Sequence, residues 1–267
     1  MVDRGQLLRK IASEEEQRLV LAKVLDQLER CQRRNIPTAT NFLTPQERNL
    51  TEQLLLQMGE KDSVLFEGGY ENAERCIALF LPDYLDAQQY RQEEEYPLCA
   101  VRCEYRKEDK PSHRDFLGSL MGLGIRRDML GDILITPGNC DILLRKEIAP
   151  FVLQNYTGAG RTHVKVFPIA PSCLQLPVQE RQEIRDTVAA LRLDSIVSSG
   201  FRLSRTKAAE LIRAGKVEVN WCVCDKADHI CAQGDVFSAR GFGKFELTEV
   251  GGLSKKGRIT IRIGRYQ

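Results

Sequence analysis

Three cationic side chains lie beside a predicted helix start in the last third of the chain: Arg202, Arg205 and Lys207. Ser204 is a favourable N-cap residue, because its hydroxyl can accept a hydrogen bond from a free amide of the first helical turn. Free amides and the positive end of the helix dipole attract anions at such a position. These residue types at this spacing predict phosphate binding.

The element that must position these side chains is a short helix followed directly by a strand. Apolar residues between Ala208 and Ile212 fall on one face of the helix, which predicts that this face is buried. Gly215 can adopt the left-handed conformation that ends a helix. Val217 and Val219 then alternate with polar residues, as in a strand with one exposed face.

A second stretch, RLDSIVSSG at residues 192–200, has the residue types of an enzyme site. It is similar to the catalytic R-L-D-x-x-T-S-G of RNA pseudouridine synthases, in which the aspartate is a nucleophile in a separate domain. Here the residues that follow Asp194 are needed for the predicted helix and strands, and Ser198 replaces the motif's threonine one position further from the aspartate. A motif outside its structural context is weak evidence. We therefore interpret Asp194 as an exposed or capping carboxylate and expect no catalytic residue.

The third candidate is a metal site, because Cys222, Cys224, His229 and Cys231 are residue types that bind zinc. The spacing is not C-x-x-C, and two cysteines at i and i+2 in a strand point to the same face, as small buried residues do. We expect no metal and no cofactor.

Composition indicates a globular protein of two or three domains: 267 residues, 42% hydrophobic and 28% charged. The first residues lack the apolar core of a signal peptide, and no apolar run has the length of a membrane span. Nine cysteines, an odd number, are most simply reduced and mostly buried. We expect a cytoplasmic protein with neither a membrane nor a small-molecule substrate as partner.

Charge is distributed unevenly along the chain. Residues 181–267 contain sixteen Lys and Arg against ten Asp and Glu, a net charge of +6. The whole chain is +2, so the remaining residues carry −4. This asymmetry predicts that a polyanion binds the C-terminal part.

We predict three parts of an α+β protein. Residues 1–70 form a helical N-terminal module, with capping boxes predicted at Ser13–Glu16 and Thr44–Glu47. Residues 71–180 alternate strand and helix signals, which predicts a ferredoxin-like or RRM-like α+β domain. Residues 181–267 form the basic part, with a basic C-terminal hairpin. The stretch from residue 113 to residue 133 is rich in glycine. Three of its glycines match no phosphate-binding loop, and close helix packing explains them best: Gly118, Gly122 and Gly124.

Three stretches identify a family resemblance: GGYENAER (68–75), HRDFLGSLMGLGIRRDMLGDI (113–133), and FRLSRTKAAELIRAGKVEVN (201–220) with DVFSARGFGKF (235–245). They resemble the bacterial YlmH family over nearly the whole chain. The C-terminal part resembles the RNA-binding domain named after ribosomal protein S4, an α-L fold of two helices against a small bent sheet. Trp221 departs from this pattern, because the family usually has glycine after the asparagine.

The resemblance implies binding of structured RNA. The positions that match the domain's motif, together with neighbouring polar and cationic residues, are Arg202, Ser204, Arg205, Thr206, Lys207, Arg213, Lys216, Asn220, Arg240 and Lys244. A helix start that presents cations and amides contacts phosphates, which supplies affinity with little sequence information. Arg126 and Arg127 could equally touch RNA or cap helix carbonyls.

From these observations we expect a non-enzymatic RNA-binding protein whose partner is rRNA or tRNA. The resemblance implies work at the large ribosomal subunit with peptidyl-tRNA, in rescue or quality control of stalled translation. Two alternatives remain: an RNA-modifying enzyme of the pseudouridine synthase type, and an interaction protein in cell division.

Overall fold

A computed structural model describes residues 4–177, 181–254 and 256–266 of the protein. The chain divides into two compact units, residues 1–177 and residues 178–267. Both units combine helices with antiparallel sheets, so the predicted α+β class is confirmed. Two residues of the predicted basic C-terminal hairpin, Lys255 and Gln267, lie outside the described residues.

The first unit begins with three helices: α1 (Arg4–Ile11), α2 (Glu15–Arg34) and α3 (Pro45–Met58). The predicted capping box of α3 is present, because Thr44 Oγ1 accepts from Glu47 N at 3.2 Å and Glu47 Oε2 accepts from Thr44 N at 2.6 Å. The box predicted at Ser13–Glu16 is wrong. Glu14 occupies the N-cap position of α2 and makes no side-chain cap hydrogen bond.

A small antiparallel sheet accompanies these helices. Its strands are β1 (Thr38–Ala39), β2 (Leu65–Glu67) and β3 (Ile77–Phe80), in the order β1-β3-β2. The boundary predicted at residue 70 separates β3 from both of its partners, which lie before that residue. All four β3 residues are buried, and a short apolar run carries no information about which strands it pairs with.

The following elements form the middle α+β region: α4 (Ala87–Tyr90), β4 (Leu98–Glu104), α5 (His113–Gly122), β5 (Leu130–Thr136), β6 (Asn139–Arg145), α6 (Ala149–Asn155), β7 (Gly158–Ala159), β8 (Thr162–His163) and β9 (Lys165–Ile169). The main sheet has the order β5-β6-β4-β9 and is antiparallel throughout. Chain order and sheet order together give the split β-α-β pattern of a ferredoxin-like fold, as predicted. The element α4 is a single helical turn.

The second unit contains β10 (Arg181–Val188), α7 (Leu193–Phe201), α8 (Arg205–Arg213), β11 (Val217–Val219), β12 (Cys222–Val223), β13 (Val236–Ala239), β14 (Gly243–Leu253) and β15 (Ile259–Tyr266). The sheet order is β10-β15-β14-β13-β11-β12. Both helices pack on one face of this sheet around Phe237 and Phe245. Burying each of these rings contributes about 1.5–3 kcal/mol, so the core fixes the helices firmly.

In the part of the chain that the structure describes, no helix is both long and apolar enough to cross a membrane.

Candidate nucleic-acid interface

The candidate site is built around the corner between α7 and α8. Arg202 ends α7 in a left-handed conformation, with φ of 54°, and its backbone amide donates to carbonyls of the last helical turn. Ser204 then caps α8, accepting from Lys207 N at 3.2 Å as the sequence predicted. The corner therefore places Arg202, Arg205, Thr206 and Lys207 within six consecutive residues, all of them exposed.

The buried face of α8 determines which way these cations point. Ala208, Leu211 and Ile212 are buried in the core of the second unit. Because the other side of the helix faces solvent, Lys207 and Arg213 lie on the exposed surface. Lys216 is exposed just before β11, after Gly215 ends the helix with φ of 64°.

Arg205 also makes an ion pair within the protein. Its Nη2 atom lies 2.7 Å from Oδ2 of Asp194, and the Arg192 guanidinium lies 3.3 Å from Oδ1. Asp194 is only 7% exposed, and the N-cap position of α7 is held by Arg192, so the expectation of an exposed or capping carboxylate is wrong. The Arg205 side chain itself is 59% exposed and keeps donors that face solvent.

The ionisation of Asp194 follows from these contacts. Burial alone would raise the pKa of this carboxyl, but hydrogen bonds and charges from Arg205 and Arg192 outweigh burial and lower it. Asp194 is therefore an anion at neutral pH, held between two cations. This arrangement orients Arg205 and gives the carboxylate a structural role in the corner.

Lys207 makes a weaker contact. Its Nζ atom lies 3.1 Å from Oε2 of Glu210, one helical turn away, and both side chains are more than half exposed. Exposed pairs of this kind contribute about 0–1 kcal/mol. A phosphate can therefore displace Glu210 at little cost.

Asn220 is fully engaged in a turn. Its Nδ2 atom donates to Asp235 Oδ1 at 2.8 Å, and its Oδ1 atom accepts from Val236 N at 2.9 Å. The backbone of Asn220 adopts φ of 49° between β11 and β12. These contacts explain the asparagine by structure alone; a contact of Asn220 with RNA stays a prediction.

The last two predicted residues lie elsewhere in the unit. Arg240 is exposed directly after β13. Lys244 is next to the core residue Phe245 in β14, and successive residues of a strand point to opposite faces. Lys244 therefore faces away from α7 and α8, where its Nζ atom lies over the rings of Trp221 and Tyr266. The predicted set is thus divided between two faces of the sheet.

Sequence reasoning missed the contribution of Arg192 and of the two aromatic rings. Arg192 and Asp194 are close in sequence, but their pairing with Arg205 depends on how α7 and α8 cross, which no spacing encodes. Tyr266 lies opposite Arg181 across paired strands, and the Arg181 guanidinium lies 4.7 Å from the ring centroid. Predicting this contact requires the register of β10 against β15, which the sequence alone does not give.

Two cysteines of the second unit take part in its packing, because Cys224 packs against the core cluster that contains Cys231. Cys231 is buried in the core, and burial raises the pKa of its thiol to about 12. Burial also raises the pKa of Cys222. Across residues 4–177, 181–254 and 256–266, no group of three or more His, Cys, Asp or Glu side chains is arranged to hold a metal ion.

In the first unit, the two family-like stretches meet at Asp132. Its carboxylate accepts from Tyr70 OH and Glu74 N at 2.8 Å and from Arg75 N at 3.1 Å. Arg75 and Arg127 both donate to the carbonyl of Leu130. Burial, reinforced by the neighbouring Arg75, lowers the pKa of Arg127 to about 10. These residues tie the loop at 68–75 to β5.

Ser112 and Asp115 form a capping box at the start of α5, next to an exposed His113. Close packing does not explain the glycines, because a Cβ atom at Gly118, Gly122 or Gly124 would meet no atom within 4 Å. Gly124 instead has φ of 84°, a conformation that favours glycine.

Comparisons with family models cover most of the chain. Residues 16–85 match the model described as "YlmH, N-terminal", and residues 92–171 match "Putative RNA-binding domain in YlmH". Residues 191–237 match the "S4 domain" model, which confirms the RNA-binding domain predicted for this part.

Two individual proteins are similar to the chain. "Ribosome-associated protein quality control protein P2" of Bacillus subtilis (strain 168) is 34% identical over 230 residues, which are 85% of this chain and 87% of that protein. The solved structure of "Cell division protein ylmH from Streptococcus pneumoniae" is 21% identical and covers 58% of this chain and 92% of that one, with a TM-score of 0.46.

Proposed function

The chain belongs to the YlmH family, and we propose from this premise that it is a non-enzymatic protein that binds structured RNA at the ribosome through the phosphate backbone. The observation that carries the proposal is the α7–α8 corner, where the exposed cationic residues Arg202, Arg205 and Lys207 adjoin a helix start that Ser204 caps. Phosphate oxygens are the natural ligands of such a site.

The α7–α8 corner is suited to provide affinity for RNA but little preference for a particular RNA sequence. Guanidinium, ammonium and backbone amide groups all recognise phosphate, which every nucleotide carries. Double-stranded RNA hides its base edges in a deep, narrow groove, so a cationic helix corner contacts its backbone and recognises its shape. We therefore propose rRNA or tRNA, both rich in structured helices, as the partner class.

The finer part of the proposal concerns the place of action. The Bacillus relative is named for ribosome-associated quality control, which supports work on ribosomes. We propose the large ribosomal subunit with peptidyl-tRNA during rescue of stalled translation, and a cytoplasmic location. We keep the RNA-binding residues predicted from the sequence. Two of them lie away from the corner: Asn220 in the turn after β11 and Lys244 on the opposite face of the sheet.

Co-sedimentation with ribosomal subunits over a salt series tests the proposal. Wild-type protein is expected to sediment with the large subunit, with an affinity that falls steeply as salt rises, because bound phosphates release counterions. Arg205→Ala/Lys207→Ala is expected to weaken binding at every salt concentration and to reduce the slope of log affinity against log salt by about 2.

The matched control is Arg33→Ala/Arg34→Ala, which removes the same charge from the exposed end of α2. It should sediment as the wild type does. Because Arg205→Ala leaves Asp194 with one partner fewer, thermal unfolding must accompany the measurement. Equal binding by a folded Arg205→Ala/Lys207→Ala variant would contradict the proposal, and uridine isomerisation by the wild type would contradict its non-enzymatic part.

A further inference from the structure

Trp221 adopts a backbone conformation that does not suit it. Asn220 and Trp221, with φ of 49° and 62°, form the two-residue link between β11 and β12. Hairpin links of this kind require left-handed conformations at both positions, which favours asparagine followed by glycine. A bulky side chain with positive φ is an outlier, and such strain concentrates at functional positions.

Core packing does not account for the tryptophan. Trp221 belongs neither to the buried cluster of the second unit nor to the partly buried hydrophobic residues packed against it. Its ring is instead partly exposed beside the Lys244 ammonium, which lies 5.2 Å from the ring centroid. The contact is a cation–π pair on the sheet face that points away from α7 and α8.

The contacts continue across the sheet. The Lys244 ammonium also lies 5.0 Å from the centroid of Tyr266, and the Arg181 guanidinium lies 4.7 Å from the same ring. Trp221, Lys244, Tyr266 and Arg181 thus form a row in which aromatic rings and cations alternate; we refer to it as the aromatic–cationic row. Glu246 borders the row and accepts from Arg181 at 2.8 Å and from Tyr266 OH at 3.3 Å.

We propose that the aromatic–cationic row is a stacking platform for an unpaired nucleobase, with Trp221 as its principal ring. Aromatic faces stack on any base, and flanking cations contact the phosphates on either side of it. RNA is favoured over a protein partner because two cations flank the rings and this part of the chain carries a net charge of +6. The inference rests on the proposed RNA-binding function and adds a second surface that selects unpaired nucleotides.

The chain contains one tryptophan, which gives a direct measurement on the intact protein. Two RNA hairpins are titrated against it, one fully paired and one identical except for a single bulged adenosine. The bulged hairpin is expected to quench the Trp221 fluorescence on binding, whereas the paired hairpin binds with little quenching.

Trp221→Gly then tests the contribution of the ring. Glycine suits the left-handed turn, so the melting temperature is expected to stay equal or to rise. Affinity for the bulged hairpin should fall about tenfold, in line with the usual effect of losing one base–aromatic stack, while affinity for the paired hairpin stays unchanged. Val223→Ala is the matched control, because Val223 is an exposed apolar residue of the same hairpin.

The possible outcomes distinguish failure of the stacking platform from failure of the proposed RNA-binding function. Salt-sensitive binding of both hairpins without selective quenching, or without selective loss in Trp221→Gly, overturns the platform and leaves phosphate binding intact. If neither hairpin binds in a salt-sensitive manner, the proposed function fails first. A large fall in melting temperature for Trp221→Gly would assign the ring to packing and would also overturn the platform.

Discussion

Asp194 controls how the Arg205 side chain is presented, because its buried carboxylate holds one guanidinium nitrogen while other donors of Arg205 remain exposed. The same carboxylate holds Arg192, so one anion organises two cations at the helix corner. A site that binds phosphate benefits from such pre-organisation, since less side-chain freedom is lost when the ligand binds.

Asp194→Asn is expected to lower the free energy of unfolding of the second unit by about 1–3 kcal/mol at neutral pH, since a charged hydrogen-bond acceptor is replaced by a neutral one. The pKa of Asp194 is lowered in the folded state, so its stabilisation is present above the unfolded pKa of about 3.9. It is lost as the pH falls through the lower, folded pKa. Denaturant unfolding from pH 7 to pH 2 should therefore show the difference between wild type and variant shrinking only in acid.

Asp225→Asn provides the comparison, because Asp225 is an exposed carboxylate of the same unit and its removal makes the same charge change. Its unfolding free energy should stay within about 0.5 kcal/mol of the wild type over the same range. RNA affinity of Asp194→Asn is expected to be largely retained, because all cations stay in place and the amide oxygen of asparagine can still accept a hydrogen bond from Arg205. A pH-independent effect of Asp194→Asn would contradict the ion-pair explanation.

A substitution of Arg202 can remove a positive charge from the same corner without lowering stability. It has φ of 54°, a conformation that glycine adopts at no steric cost. Arg202→Gly should therefore leave the unfolding free energy unchanged or raise it by up to about 1 kcal/mol. RNA affinity should fall by a factor of about 3 to 10, with a shallower salt dependence, because one phosphate contact is lost. Electrophoretic mobility-shift titrations measure the affinity, and an unchanged affinity would remove Arg202 from the interface.

At the scale of elements, α7 lies unusually close to the sheet. A Cβ atom at Gly200 would meet the Phe245 ring at 2.3 Å, and this ring lies 4.9 Å from the centroids of both Phe201 and Phe237. Gly200 thus lets α7 approach the stacked rings, which sets the position of Arg202 two residues later.

Gly200→Ala is expected to destabilise the second unit by about 1–3 kcal/mol, because the methyl group must displace a ring in a filled core. Gly118→Ala in α5 is the matched substitution, since a Cβ atom there would meet nothing within 4 Å. It should stabilise its unit by about 0.5–1 kcal/mol through helix propensity alone. Scanning calorimetry of the two variants distinguishes the effects, and equal melting behaviour would contradict the close-approach argument.

Local sequence signals predicted the positions of helices and strands better than they predicted which of these elements pack or pair together. Ser204, Gly215 and the alternation at Val217–Val219 gave α8 and β11 their correct places, because capping, turn conformation and side-chain alternation act within a few residues. The partners of β3 and of Asp194 could not be predicted in the same way. Strand pairing and the crossing of α7 with α8 bring distant residues together, and a single sequence records no such distance.

The candidate site follows the same division. The cations at the corner were predictable, since they adjoin a capped helix start. The sequence does not show on which face of the sheet Lys244 lies. Neither the distance of Lys244 from the corner nor the aromatic–cationic row could therefore be predicted. Trp221 was visible as a departure from the family pattern, but only its φ of 62° and its contact with Lys244 give that departure a physical meaning.

At the scale of the whole molecule, each unit has its own hydrophobic core. The cluster around Phe237 and Phe245 draws every member from residues 184–263, whereas the four remaining clusters draw theirs from residues 7–174. A unit with a complete core can fold alone. Charge is divided in the same way, with +6 on residues 181–267 and −4 on the rest.

A fragment of residues 178–267 is therefore expected to fold cooperatively and to bind structured RNA. Its salt dependence should match that of the full chain within about one released counterion, because the cations of the corner all lie within it. Circular dichroism melting checks the fold, and titration of the same RNA hairpin over a salt series checks the binding. A fragment of residues 1–177 serves as the comparison and should bind at least tenfold more weakly, since its net charge repels phosphate. If the C-terminal fragment folds but releases markedly fewer counterions than the full chain, cations of residues 92–171 contribute to the interface, and the corner is only one of two phosphate-binding surfaces.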